Sequence, residues 1–327
     1  MKYTFLRIGI IVLAVTIAIA GCSKNNGTNP VSSKGLSAYQ AVQASLAKSD
    51  SVLAFDSSDS ATIDDEMALS MEAGEFEKTL TPVQPLRWGR KIENASRKVT
   101  VDFPSDSVAI ATITRTLSGH FIIVGNLRDS SGMTEKATVR KPFTVNENRK
   151  VRFIRVFHEE IADTDWRPAA MTLSSGSTPD SLNKFSIKSI EVDFDTVSYE
   201  VTDPLNTWLP FGRFRRPVPV IHGGRPVTVK VTIDSKDDSS EVAFLRHDVG
   251  ARDTQHSRAH MTLVSSTPIT GGSERVYQSS FLVRSLRYDV GLGRFNATVD
   301  VLSHGTLYND SSPVSNIFWG LPYFAAR

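Results

Sequence analysis

Val227-Thr228-Val229-Lys230-Val231-Thr232-Ile233-Asp234 alternates branched apolar and polar side chains without a break. Successive side chains of a strand point to opposite faces, so Val227, Val229, Val231 and Ile233 share one face while Thr228, Lys230 and Thr232 share the other. Such a strand has core on one side and water on the other, as antiparallel sheets do. Downstream, 242–245, 259–264, 276–283, 286–290, 295–301 and 314–323 are further β-branched or aromatic runs separated by Gly, Asp and Ser turns. Seven short strands in about 100 residues predict a sandwich of two antiparallel sheets over residues 202–327.

Upstream of that strand, residues 203–226 hold five of the 15 prolines (Pro204, Pro210, Pro217, Pro219, Pro226). Proline lacks the ladder N–H, so this stretch is not a central strand and reads as the crossover between two domains. Before it the period is again two. Val99, Val101 and Phe103 alternate with Lys98, Thr100 and Asp102, and 108–116, 120–124, 135–143, 151–159, 168–173 and 186–192 follow as strand candidates. Gly119, Gly125, Gly132 and Gly176 are expected at the turns. Val151, Phe153 and Phe157 fall on one face and Ile154 and Val156 on the other, which predicts a strand covered on both sides.

Ahead of these strands, Leu36, Tyr39, Val42, Leu46 and Leu53 recur at helical spacings over 36–53, and Ile63, Met67, Met71 and Phe76 do so over 63–76. The fold expected is mainly β: an N-terminal α+β domain over 36–201, with short helices on an antiparallel meander, then an immunoglobulin-like β-sandwich over 202–327. The run from Val227 to Asp234, its polar turn at 235–240, and the late strand Arg294-Phe295-Asn296-Ala297-Thr298-Val299-Asp300-Val301 resemble the immunoglobulin-like or fibronectin-type modules of bacterial envelope proteins. The Cys…Trp…Cys signature of antibody-type domains is absent, so the resemblance carries no binding residues. Phe153-Ile154-Arg155-Val156, Trp166-Arg167 and Met171-Thr172-Leu173 behind helices resemble the cone-shaped nuclear-transport-factor-2-like fold.

The first 22 residues give an address. Lys2 and Arg7 precede an apolar run over 8–20, too short for a comfortable span of about 20 residues and right for a signal-peptide core. Ile19-Ala20-Gly21-Cys22 resembles the lipobox of bacterial lipoproteins. That resemblance implies cleavage of residues 1–21, a diacylglycerol on the Cys22 sulfur and membrane lipid as its partner. Residues 22–35 are a polar Gly/Asn/Pro/Ser tether. Ser23 rather than Asp follows the cysteine, which by the same resemblance implies outer-membrane sorting, and a periplasm-facing orientation is expected.

Composition narrows the function classes. Of 327 residues, 40% are hydrophobic and 22% charged, which excludes wholesale disorder and a multi-span helical membrane protein. Cys22 is the single cysteine, so a disulfide within the chain, a catalytic thiol and a zinc ribbon are excluded. The formal charge of +2 hides an asymmetry: residues 36–77 hold nine acids against Lys48, and the later part of the chain is basic. The excess is modest, and with an extracytoplasmic address nucleic acid is not expected as a partner.

No candidate chemistry outweighs its structural alternative. His247, His256 and His260 lie close with Asp248 and Asp253, but Arg258 sits between two of them where a cation would bind, so metal is not expected. His222-Gly223-Gly224 has the form of an oxyanion loop, yet no Gly-x-Ser-x-Gly accompanies it. Asp234, Asp237, Asp238 and Glu241 around a serine turn could hold calcium, or be a solvated hairpin loop. Phe211-Gly212-Arg213-Phe214-Arg215-Arg216 could meet phosphates or lipid headgroups, or pack as a linker. Trp88, Trp166, Trp208 and Trp319 are expected to pack in the core or between domains. Asp163 and Asp165 beside Trp166 would be the acids of a hydrolase or carbohydrate-acting enzyme, the alternative function. The expected function is a non-enzymatic binding or assembly module on the cell envelope, without cofactor, for an envelope protein or glycan. Cys22 is its one assigned site residue.

Overall fold

The structure, a computed structural model, describes residues 37–48, 83–128, 134–156, 166–194, 197–210, 220–250, 257–283 and 292–326. Cys22, the tether, the second helix expected at 63–76, Asp163, Asp165, His256 and the 211–216 run lie outside the described residues.

The chain is mainly β, with antiparallel sheets. Helix α1 (Ala38–Lys48) lies within the stretch 36–53 expected to be helical and opens on a cap the spacing did not indicate: Ser37 Oγ accepts the Gln40 amide N–H and Gln40 Oε1 accepts that of Ser37, a capping box that satisfies two orphan donors. Ala38, Val42 and Leu46, one face at helical spacing, pack on Ile113, Val151, Phe153 and Met171. The following meander is built from strands β1 (Val83–Ser105), β2 (Val108–Arg128) and β3 (Thr134–Arg155), of 23, 21 and 22 residues. At about 3.3 Å per residue each is on the order of 70 Å long.

These strands are longer than the runs expected, because glycines read as turns lie within strands. Gly119 sits mid-β2 where β1 bulges between Ile92 and Asn94, and a Cβ there would come 2.0 Å from the Lys91 carbonyl oxygen. The glycine permits close backbone approach rather than a reversal. The expectation of two covered faces on β3 holds for one of them: Val151 and Phe153 lie under α1, whereas Ile154 is 42% exposed on the opposite face.

Strands β4 (Trp166–Thr172), β5 (Ser174–Ser177), β6 (Phe185–Phe194), β7 (Val197–Val201), β8 (Trp208–Pro210), β9 (Val220–His222), β10 (Pro226–Ser235), β11 (Val242–Gly250), β12 (Ser257–His260), β13 (Thr262–Ile269), β14 (Gly272–Leu282), β15 (Leu292–Leu302) and β16 (Asn316–Ala326) complete two sheets, with a short helix α2 (His304–Tyr308) before β16. The larger runs β1-β2-β3-β5-β16-β15-β11-β12, with β4 on β3, β8 on β4 and β9 parallel to β16; the smaller runs β13-β14-β10-β6-β7. They face each other as a sandwich. Val227, Val229, Val231 and Ile233 of β10, all buried, pack with Ile190 and Val192 across to Leu245, Val299, Val301 and Leu321. The faces of β10 are those its alternation predicts.

The expected domain start at residue 202 cuts through this sandwich. β10 pairs with β6 from Val227↔Phe194 to Ser235↔Phe185, and β16 pairs with β5. Residues 174–201 therefore supply strands to both sheets, a partnership that periodicity within β10 does not encode. Of the prolines in 203–226, Pro210 ends the three-residue edge strand β8 as expected, whereas Pro226 opens β10, the central strand of the smaller sheet, at the first position, where a missing ladder N–H is tolerated. Residues 259–264 form two strands rather than one: buried Met261 is the corner at which the chain leaves the larger sheet for the smaller.

Candidate functional site

On one side of the larger sheet, the five-stranded sheet covers β16, β15 and β11, while β1, β2 and β3 carry polar side chains at the surface. Registers link these regions. One cross-strand row runs Lys98–Thr114–Asn148–Ser175–Trp319, and the next runs Ser96–Thr116–Asn146–Ser177–Ile317. Beyond Trp319 and Ile317 the rows continue to Val299 and Val301, under the second sheet. Each row thus changes from hydroxyl and amide groups to aromatic and aliphatic ones where the second sheet begins.

At that step lies a cleft of about 340 Å³, at the small end of the range of ligand pockets. Ser175 and Ser177 from β5 and Asp180 from the 3₁₀ turn Asp180–Leu182 contribute its polar groups, and Phe185, Ile187, Ile317 and Trp319 its apolar ones; Ser186, between Phe185 and Ile187 on β6, borders it with its side chain turned to the outer face of the smaller sheet. Asn183 is a fixed wall: its Oδ1 accepts from Thr178 Oγ1 (2.8 Å) and Ser315 Oγ (2.7 Å), and its Nδ2 donates to the Thr178 carbonyl (2.9 Å). The side chains of Ser175, Ser177, Ser186 and Asp180 make no hydrogen bond among the described residues. Along the rows, Thr114 Oγ1 donates to Asn148 Oδ1 and Thr116 Oγ1 to Asn146 Oδ1, both at 2.8 Å. These bonds occupy the amide oxygens and orient both NH₂ groups as donors.

The most strongly held ionisable group lies elsewhere. Asp300 on β15, fully buried, accepts a two-pronged contact from Arg90 on β1 (2.9 and 3.0 Å), one from Arg246 on β11 (3.0 Å) and one from Asn316 Nδ2 (2.6 Å). Burial alone would raise this carboxyl; the Arg90 and Arg246 guanidiniums overcome it and hold Asp300 well below the usual carboxylate range. Trp88 stacks on Phe121 (centroids 5.0 Å apart) and meets Phe244 of β11 at 5.1 Å, with the Arg258 guanidinium 4.0 Å from its centroid. The first strand of the meander is thereby bound to the far end of its own sheet. Burial lowers the Lys141 amine to about 8, but its donors end on the carbonyl oxygens of Gly305, Thr306 and Asn309 around α2. Asp300 thus ties strands together, and Lys141 ties β3 to α2.

The residues singled out in the sequence are dispersed. Half-buried His247 stacks at 4.5 Å on Phe281 of the sandwich core, and exposed His260 meets edge-on, at 5.6 Å, Phe244 of the core beneath the meander, so they face opposite sides of the sheet. No metal-ligating cluster occurs among the described residues. The Gly223 and Gly224 N–H groups already donate to the carbonyls of Ala326 and Val283, both at 2.7 Å, in the turn before β10. In the acidic loop after β10 the centre is taken by the Arg275 guanidinium. It donates to the carbonyls of Asp237 (2.7 Å) and Ser239 (2.9 Å) and pairs with buried Glu241 (2.9 Å). An arginine of the chain itself occupies the place considered for calcium. Trp88, Trp166 and Trp319 are buried, and Trp208 lies beneath Arg152, 4.5 Å from its guanidinium.

The serines of β5 and the Thr/Asn rows were not singled out in the sequence. Their signal is the two-residue period of Thr112, Thr114, Thr116 and Ser118, and of Thr144, Asn146 and Asn148, which any solvated strand face shares. No protein-family model matches the chain, and no curated protein matches it.

Proposed function

We propose that this protein is a lipid-anchored, non-enzymatic binding module of the bacterial cell envelope, held through acylated Cys22 in the outer membrane and facing the periplasm. The observation that carries the binding role is the pair of polar rows leading into the 340 Å³ cleft. Three polar side chains without hydrogen-bond partners among the described residues, those of Ser175, Ser177 and Asp180, converge there over an apolar floor, and convergent polar groups on an apolar surface are what fix a ligand's orientation. The anchor rests on the lipobox and the basic and apolar segments before it. Two or three acyl chains hold a protein on a membrane far more firmly than the marginal binding of one, each buried CH₂ contributing about 0.8 kcal/mol.

Two measurements test the proposal. Cys22→Ala is expected to abolish palmitate labelling and release the protein from the membrane fraction; unchanged labelling and retention would defeat the anchor. Native protein purified from detergent-solubilised membranes is expected to retain a partner or ligand that Ser175→Leu, which fills the cleft mouth, releases. Turnover of an ester or glycoside panel, with no retained partner, would favour the hydrolase instead.

A further inference from the structure

We infer that the two rows and the cleft form one track for a linear, neutral glycan, which lies across the strands with a terminal sugar ring in the cleft. This rests on the binding-module reading and names its ligand class. The direction comes from the registers: Thr114, Asn148 and Ser175 stand on three adjacent strands, as do Thr116, Asn146 and Ser177. Strands lie roughly 4.8 Å apart, about the length of one pyranose repeat, so successive sugars would meet successive strands.

The ligand's charge follows from the side chains. All six are neutral; Lys98 lies at the outer end of one row and Asp180 beside the cleft. A nucleic acid or other polyanion needs basic groups along its path to release counterions. A protein partner needs a central apolar anchor, and the rows offer none before the cleft. Sugar hydroxyls both donate and accept. They suit serine hydroxyls, which do the same, and the two asparagine NH₂ groups held outward by threonine.

The cleft explains why one end of the chain is read. Phe185 and Ile187 of the smaller sheet close the track beyond Ser175 and Ser177, and Ile317 and Trp319 lie beneath. A ring's apolar C–H face can rest on that floor while its hydroxyls reach Ser175, Ser177 and Asp180, whereas an internal sugar would have to continue into the second sheet.

The test uses the full chain in a sugar-free zwitterionic detergent, titrated calorimetrically with maltotetraose, cellotetraose and chitotetraose and with the matching monosaccharides. At least one tetraose is expected to bind saturably and more tightly than its monosaccharide. Ser175→Leu and Asn148→Leu should each weaken it about tenfold or more, while Arg140→Ala, on the same face but off the rows, should leave it unchanged. Should either leucine variant fail to fold, Ser177→Ala and Thr114→Val, which each remove one hydroxyl, take its place, with a severalfold loss expected. Absence of saturable binding by all three tetraoses, or binding that the row variants leave within about twofold, overturns the inference. If the tetraoses fail while native protein still retains a protein partner that Ser175→Leu releases, the glycan track falls and the binding module stands; if no partner is retained either, both fall.

Discussion

Replacing Asp300 by Asn tests what joins the meander to the sandwich. The carboxylate is fully buried and accepts from Arg90, Arg246 and Asn316 at 2.6–3.0 Å. Asp300→Asn keeps the volume and leaves two buried guanidiniums without their counter-charge. Breaking a buried ion pair from one side costs about 3–5 kcal/mol, which at a urea slope of about 2–3 kcal/mol/M lowers the midpoint by about 1–2.5 M. The folded-state carboxyl is depressed below its ordinary 3.8. Its stabilisation is therefore fully present above the unfolded value and is lost as the pH falls through the folded one. The difference between wild type and variant should be constant from pH 8 to 5 and shrink below about pH 4, by up to about 1.4 kcal/mol per pH unit. Urea unfolding of both proteins, followed by tryptophan fluorescence from pH 8 to 3, measures it. A difference under about 1 kcal/mol at pH 7, or one that stays flat between pH 5 and 3, would refute the clamp.

Val231→Asp should cost more than about 4 kcal/mol in the same assay, because it places an unpaired charge where the side chain is fully buried. Lys230→Asp, harmless from the alternation alone, is expected to cost about 1 kcal/mol, since Lys230 pairs with Glu191 (3.2 Å) and Asp193 (3.5 Å) and the variant sets a third acid beside them. Equal losses would mean that the β10 register is wrong. Arg275→Met leaves Glu241 buried without its partner and removes the donors to the 237–239 carbonyls, so a loss of about 3–5 kcal/mol and faster amide exchange over 236–240 are expected. Gly176→Ala brings a Cβ within 2.1 Å of the Phe318 ring and should destabilise by about 1–3 kcal/mol, read as a lowered melting temperature.

How much of this was legible in the sequence follows from the range of each interaction. The faces of β10 and the helical stripe of α1 depend on residues one to four apart, and local patterning states them. The lengths of β1, β2 and β3 do not, because a glycine for a turn and a glycine for close backbone approach are the same letter: Gly119 reads as the first and serves the second. Arg275 at the centre of the acidic loop is a comparable case, since a guanidinium 34 positions away from Glu241 does what a bound cation would do.

The sequence by itself determined the class of structure: mainly β, with a helix at its start and a sandwich whose central strand could be oriented residue by residue, because side-chain alternation is a property of the strand alone. Only the tertiary structure decided which strands are neighbours. The pairing of β10 with β6, the contact of Arg90 with Asp300 across 210 positions, and the alignment of Thr114, Asn148, Ser175 and Trp319 in one row all depend on sheet register between distant segments. Hydroxyl and amide residues become a candidate site when that register sets them side by side where the second sheet ends, and no periodicity within a single strand records it.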